Sequence, residues 1–160
     1  MNRSLMPNTL DRLLVSGKGI HSADQSFDRI KRRISDFGQK PTPEKIAEYR
    51  SVIFESESPQ SFLSGIIFHE HTFVSRTTGG LAFPEHVESK GILPGIKVDL
   101  GLETFPLSPK EDLSKGLDGL RERLQAYSEA GALFTKWREV FIVDDKLPSN
   151  SCVTSNTHDM

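Results

Sequence analysis

Lys136 and Arg138 stand two residues apart in Leu133-Phe134-Thr135-Lys136-Trp137-Arg138-Glu139-Val140-Phe141-Ile142-Val143, an aromatic and β-branched run that follows Gly131. Such a run predicts a strand buried on both faces. Side chains alternate across a strand, so Lys136 and Arg138 share one side while Thr135, Trp137 and Glu139 share the other. Two permanent cations inside a core cost several kcal/mol unless an anion or a carboxylate meets them. The pair therefore predicts a site for a phosphate or an acidic group. Gly95-Ile96-Lys97-Val98-Asp99-Leu100-Gly101 repeats the pattern, with Lys97 and Asp99 on one face and glycines at the turns. If the two strands are neighbours in a parallel sheet, about 4.8 Å apart, then Lys97, Lys136 and Arg138 converge near one edge. Such a trio suits a dianionic phosphoryl group.

The elements that must hold these residues alternate between helix and strand. An opening helix near Thr9 to Val15 precedes a first strand within Gly17 to Asp24. A basic helix from Phe27 to Phe37 ends at Gly38, and Thr42-Pro43-Glu44 opens the next with a capping residue, a proline at the first position and an acid in the first turn. Ser64 to His69 reads as the second strand, and a loop with Thr77-Thr78-Gly79-Gly80 leads to a short helix near Glu85 to Lys90. Ile92 to Asp99 is the third strand. Leu117, Leu120, Leu124 and Tyr127 fall at spacings of three and four, which predicts a helix covering one side of the sheet. The strand with Lys136 is the fourth. Repeated strand-helix units with two-sided apolar strands predict an α/β fold with a parallel sheet and right-handed crossovers. Four units make half of a closed eight-stranded barrel, which takes roughly 250 residues. Pro148-Ser149 opens a further helix shortly before the final Asn156-Thr157-His158-Asp159-Met160, which reads as a chain cut rather than finished.

Composition sets bounds on function. With 160 residues, 36% hydrophobic and 26% charged, the chain can bury an ordinary core. The formal net charge is -2 and the basic residues are scattered, which argues against nucleic acid as a partner. Cys152 is the only cysteine, so no internal disulfide is possible. No apolar run approaches the roughly 20 residues that span a bilayer, and the N-terminus lacks a signal core. A cytoplasmic setting without membrane partners fits best.

Five segments in order carry a resemblance: Gly17-Lys18-Gly19-Ile20 with Ala23-Asp24-Gln25-Ser26, Gly65-Ile66-Ile67-Phe68-His69-Glu70, Ser89-Lys90-Gly91 leading to Gly95-Ile96-Lys97-Val98-Asp99, Gly116-Leu117-Asp118-Gly119-Leu120, and Lys136-Trp137-Arg138. From about Leu10 to His158 the chain resembles the N-terminal half of class I fructose-1,6-bisphosphate aldolase. The resemblance implies a (β/α)8 TIM barrel of which this chain covers the first four units, as the N-terminal part of one barrel domain. It implies Schiff-base cleavage of fructose 1,6-bisphosphate to dihydroxyacetone phosphate and glyceraldehyde 3-phosphate, with no cofactor and no metal. It implies a homo-oligomer for the complete protein. Asp24 occupies the family's active-site aspartate and would exchange protons with a reacting hydroxyl. Lys136 would share the catalytic work, Lys97 and Arg138 would hold the six-phosphate, and Ser26 and Arg33 match positions near the phosphates. By itself, Asp24 reads equally well as a helix N-cap, and Lys97 as a strand-end lysine that snorkels to solvent.

The departures matter too. His21 and Ser22 stand where the family has leucine and alanine, Gln25 replaces glutamate, and Ile46 replaces an arginine linked to substrate binding. The Schiff-base lysine and the glutamate acid/base follow Met160 in the family's order, so residues 1–160 are expected to lack the covalent chemistry. Two rival readings remain: a transaldolase-like enzyme with Lys136 as its Schiff-base nucleophile, and a non-catalytic module that binds sugar phosphates or another subunit. His69-Glu70-His71 would put two imidazoles on one strand face, but a catalytic zinc needs a third protein ligand. Gly17-Lys18-Gly19 is too short for a phosphate-binding Walker loop. In the basic run Arg29, Lys31, Arg32 and Arg33, the last is the one expected to turn inward.

Overall fold

A computed structural model describes residues 5–77 and 79–159; Thr78 of the predicted loop lies outside them. The chain divides into two compact units, one of Met1–Lys97 with Tyr127–Thr135, the other of Val98–Ala126 with Lys136–Met160.

In the first unit, α1 (Leu5–Leu13) leads to β1 (Gly19–Ala23), α2 (Phe27–Asp36), α3 (Pro43–Phe54), β2 (Leu63–Phe68), α4 (Glu70–Phe73), α5 (Phe83–Ser89) and β3 (Leu93–Lys97). β2 is parallel to both of its neighbours, with Ala23 opposite Phe68 and Phe68 opposite Ile96. Addition of β6 (Phe134–Lys136) gives the sheet order β1-β2-β3-β6. The parallel α/β arrangement read from the alternating elements is therefore present. Thr42 caps α3 by accepting from the Lys45 amide at 3.3 Å, with Pro43 in its first turn. Ser26, not Asp24, caps α2 by accepting from the Arg29 amide at 3.4 Å, which removes the N-cap reading of Asp24.

The two faces of this sheet differ. Phe68 packs against Phe54 of α3 and Phe83 of α5, with ring centroids 4.9 and 6.5 Å away, so its face is turned to the helices. Ile66 and Ile96 share that parity and are fully buried. The opposite face carries Gly65 and Ile67 from β2 and Gly95 and Lys97 from β3. The Phe134 ring lies on it: a Cβ built on Gly95 would come within 2.4 Å of Phe134 Cζ, and one on Gly65 within 3.2 Å. These two glycines leave the space that the aromatic ring fills.

The second unit holds an antiparallel hairpin that the sequence pattern did not predict, β4 (Leu102–Thr104) against β5 (Asp112–Ser114). Each strand has three residues, too few for an alternating pattern to register. α7 (Asn150–His158) starts where Pro148-Ser149 predicted, with Ser149 accepting from the Cys152 amide at 3.2 Å. α6 (Leu120–Glu129) begins after Leu117 and buries only Tyr127.

The strand expected from Leu133 to Val143 is shorter than its sequence suggests. β6 ends at Lys136, and Phe141, Ile142 and Val143 are 36%, 44% and 81% exposed. Residues 137–143 belong to no sheet among the described residues. A β-branched run without ladder partners has no strand to extend, whatever its propensity. Arg138 therefore lies beyond the strand, and the alternation argument that paired it with Lys136 does not hold.

Candidate functional site at the carboxyl ends of the strands

The register places a row of polar residues at one end of the first unit's sheet. One step past Ala23 and Phe68, the last residues of β1 and β2, come Asp24 and His69, and Lys97 follows Ile96 as the last residue of β3. All three are half-buried. A carboxylate, an imidazole and an ammonium at neighbouring strand ends can hold an anion, orient a hydroxyl and pass a proton. The sequence motif contained His69, but its place between Asp24 and Lys97 becomes visible only once the register is known.

His69 is not on the strand. It precedes α4, and its ring stacks on that of His71 with centroids 4.3 Å apart. Burial holds the His69 imidazole below its ordinary value; Lys97 pushes it further down and Glu70 and Asp24 oppose this, with Arg50 a weaker downward influence. Burial likewise lowers His21, against the pull of Asp24. His71 is pushed down to about 4, by burial first and then by Arg50 and His69. Among the described residues no three His, Cys, Asp or Glu side chains group closely enough to hold a metal ion.

Ser26 and Arg33 lie elsewhere in the same unit, on α2 and its cap. With Gln25, Asp28, Arg29, Arg32 and Asp36 they line an open depression of about 450 Å³. Arg33 is exposed, contrary to the inward turn expected of it, and donates to Tyr49 Oη at 3.4 Å. Tyr49 in turn donates to Gln25 Oε1 at 3.0 Å. Lys31 lies over the exposed Phe27 ring on the same helix, its ammonium 4.2 Å from the ring centre. Ile46, at the position of the missing arginine, packs in a buried cluster with Ile30 and Ile34.

Lys136 and Arg138 belong to the second unit. The Lys136 carbonyl accepts from the Val98 amide at 3.0 Å. Arg138 approaches Asp99 Oδ1 at 3.8 Å, and its side chain is 43% exposed against 0% for Asp99. The carboxylate that two cations in a core would require is thus supplied for Arg138 by the chain itself. Asp99 Oδ1 also accepts from the Gly101 amide at 3.2 Å.

Parallel strands joined through helices, with an acid and an amine at their carboxyl ends, define a βα-repeat protein. The family model described as fructose-bisphosphate aldolase class-I matches residues 6–160, and the chain belongs to that family. It is similar to fructose-bisphosphate aldolase 1 of Toxoplasma gondii, 40% identical over 149 residues that cover 92% of this chain and 41% of that protein. It is also similar to a probable class 1 fructose-bisphosphate aldolase of Xylella fastidiosa, 36% identical over 158 residues that cover 99% of this chain and 47% of that one. Among solved structures it matches the fructose-bisphosphate aldolase of Plasmodium falciparum, crystallised with TRAP and a small-molecule inhibitor, with a TM-score of 0.89 at 35% identity. That match covers 95% of this chain and 44% of the other. The chain thus spans somewhat under half the length of these relatives.

Proposed function

We propose that this chain forms the first four βα units of an aldolase barrel and carries the part of its site that binds and positions a sugar bisphosphate. The observation that supports this best is the strand-end row of Asp24 and Lys97, in a chain of the aldolase family. In this reading the whole protein cleaves fructose 1,6-bisphosphate through a Schiff base, acts in the cytoplasm and assembles as a homo-oligomer. Lys97 and Arg138 take the part of phosphate-binding cations, since ammonium and guanidinium groups suit a dianion. Asp24 exchanges a proton with a reacting hydroxyl, and Lys136 serves the same proton traffic. Ser26 and Arg33 contribute near the phosphates from the α2 depression. The lysine that forms the imine comes from a later strand in the family's order, so residues 1–160 bind the sugar phosphate without reacting with it.

Borohydride reduction of the chain with dihydroxyacetone phosphate, followed by mass spectrometry, tests this division of labour. The expected result is no covalent adduct on any residue of the 160, alongside saturable binding of fructose 1,6-bisphosphate by calorimetry. A reduced adduct on Lys136, which sits half-buried at the end of the fourth strand of the sheet, would replace this reading with a transaldolase-like one.

A further inference from the structure

Resting on the sugar-phosphate reading above, we propose that His69 is the middle member of the strand-end row, a positioning residue that couples Asp24 to Lys97. Three observations converge on it. First, the parallel register pairs Phe68 with Ala23 on one side and Ile96 on the other, so His69 leaves the end of the central strand between the chain segments that carry Asp24 and Lys97. Second, His69 Nδ1 is shut off from solvent and has no hydrogen-bond partner among the described residues, while the ring stands stacked on His71. A buried polar atom left unmatched is costly, so a group that could meet it is expected to bind there. Third, the charges around the ring come from both neighbours: Lys97 and Arg50 act on it from the cationic side, Asp24 and Glu70 from the anionic side.

The stacked partner explains how the ring is held. Arginine can only donate, so the contact of Arg50 Nη2 with His71 Nδ1 at 2.5 Å makes that nitrogen an acceptor and keeps His71 neutral. A neutral imidazole 4.3 Å away offers His69 a surface without a like charge, which fixes its orientation between the acid and the amine. With Nδ1 unmatched, the ring is coupled to its neighbours through charge and not through hydrogen bonds: a cation at Lys97 opposes its protonation and a carboxylate at Asp24 favours it.

The test reads the ring directly. In the full 160-residue chain, the His69 imidazole signals are followed against pH by NMR in the parent, in Asp24→Asn and in Lys97→Met. The expected result is opposite movement: the His69 midpoint falls in Asp24→Asn and rises in Lys97→Met, each by about half a pH unit or more, while His86, whose Nε2 lies 3.1 Å from the Phe54 carbonyl, stays fixed. Midpoints that do not move, or that move together with that of His86, overturn the coupling. The second arm measures fructose 1,6-bisphosphate affinity in His69→Asn and His69→Leu. Asparagine places a polar atom where Nδ1 lies and should bind within about threefold of the parent, whereas leucine should bind about tenfold or more weakly. Equal affinities for both variants overturn the positioning role. A parent that binds no bisphosphate, yet shows the opposed midpoints, overturns the sugar-phosphate reading and leaves the coupled row standing.

Discussion

Arg50, His71 and Lys97 carry the predictions that belong to single residues. His71 accepts from Arg50 and takes a proton only near pH 4, whereas an unfolded chain takes it at its ordinary value of 6.5. Between those values the unfolded state binds more protons, so stability rises with pH across the window and is progressively lost as pH falls from 6.5 towards 4. His69 and His21, also held low by burial, act in the same direction. Urea midpoints measured across the window should therefore climb with pH in the parent and climb less in His71→Gln; identical slopes would show that His71 is not held neutral by the fold. Lys97→Ala and Arg138→Ala should each weaken bisphosphate binding about tenfold to a hundredfold. Unchanged affinity in either variant, by calorimetry, would take that cation out of phosphate binding.

At the scale of elements, the site depends on a sheet face that is small at one end and polar at the other. Gly95 admits the Phe134 ring, and a Cβ there would lie 2.4, 2.5 and 2.7 Å from three of its carbons. Overpacking of this kind costs about 1–3 kcal/mol, so Gly95→Ala should lower the thermal midpoint by several degrees. Phe134→Leu in the same background should restore part of the loss, and its failure to do so would mean that the ring is not what the glycine accommodates. How far such elements could be read beforehand depended on the strength of the local signal. Thr42-Pro43 and Ser149 announced their helices because a capping oxygen is a local device that works the same way in any fold. Asp24 and Lys97 could be placed at strand ends because glycine and apolar patterning fix where a strand stops. The insertion of His69 between them depends on register, which is set by partners far along the chain. Val140 to Val143 misled for a related reason: propensity describes how a residue fits a sheet, and here no neighbouring strand supplies one. Arg33 misled because an amphipathic helix has a boundary, and its guanidinium stays exposed at that boundary, where it reaches Tyr49 Oη.

The molecule as a whole comprises two compact units, and the residues of the proposed site are divided between them: Asp24, His69 and Lys97 in one, Lys136 and Arg138 in the other. The sheet of the first unit ends in β1 on one side and β6 on the other, and apolar side chains such as Ile20 and Leu133 are 43% and 38% exposed there. Relatives of more than twice the length have further chain with which to cover such edges. Sugar bisphosphate binding rests on the strand-end residues of the first unit, Asp24, His69 and Lys97. Titration of isotopically labelled chain with fructose 1,6-bisphosphate, followed by NMR, tests it most directly. Shifts at these three residues that saturate with a single affinity are expected. Shifts confined to the depression lined by Gln25 and Asp36, with none at the strand ends, would contradict it.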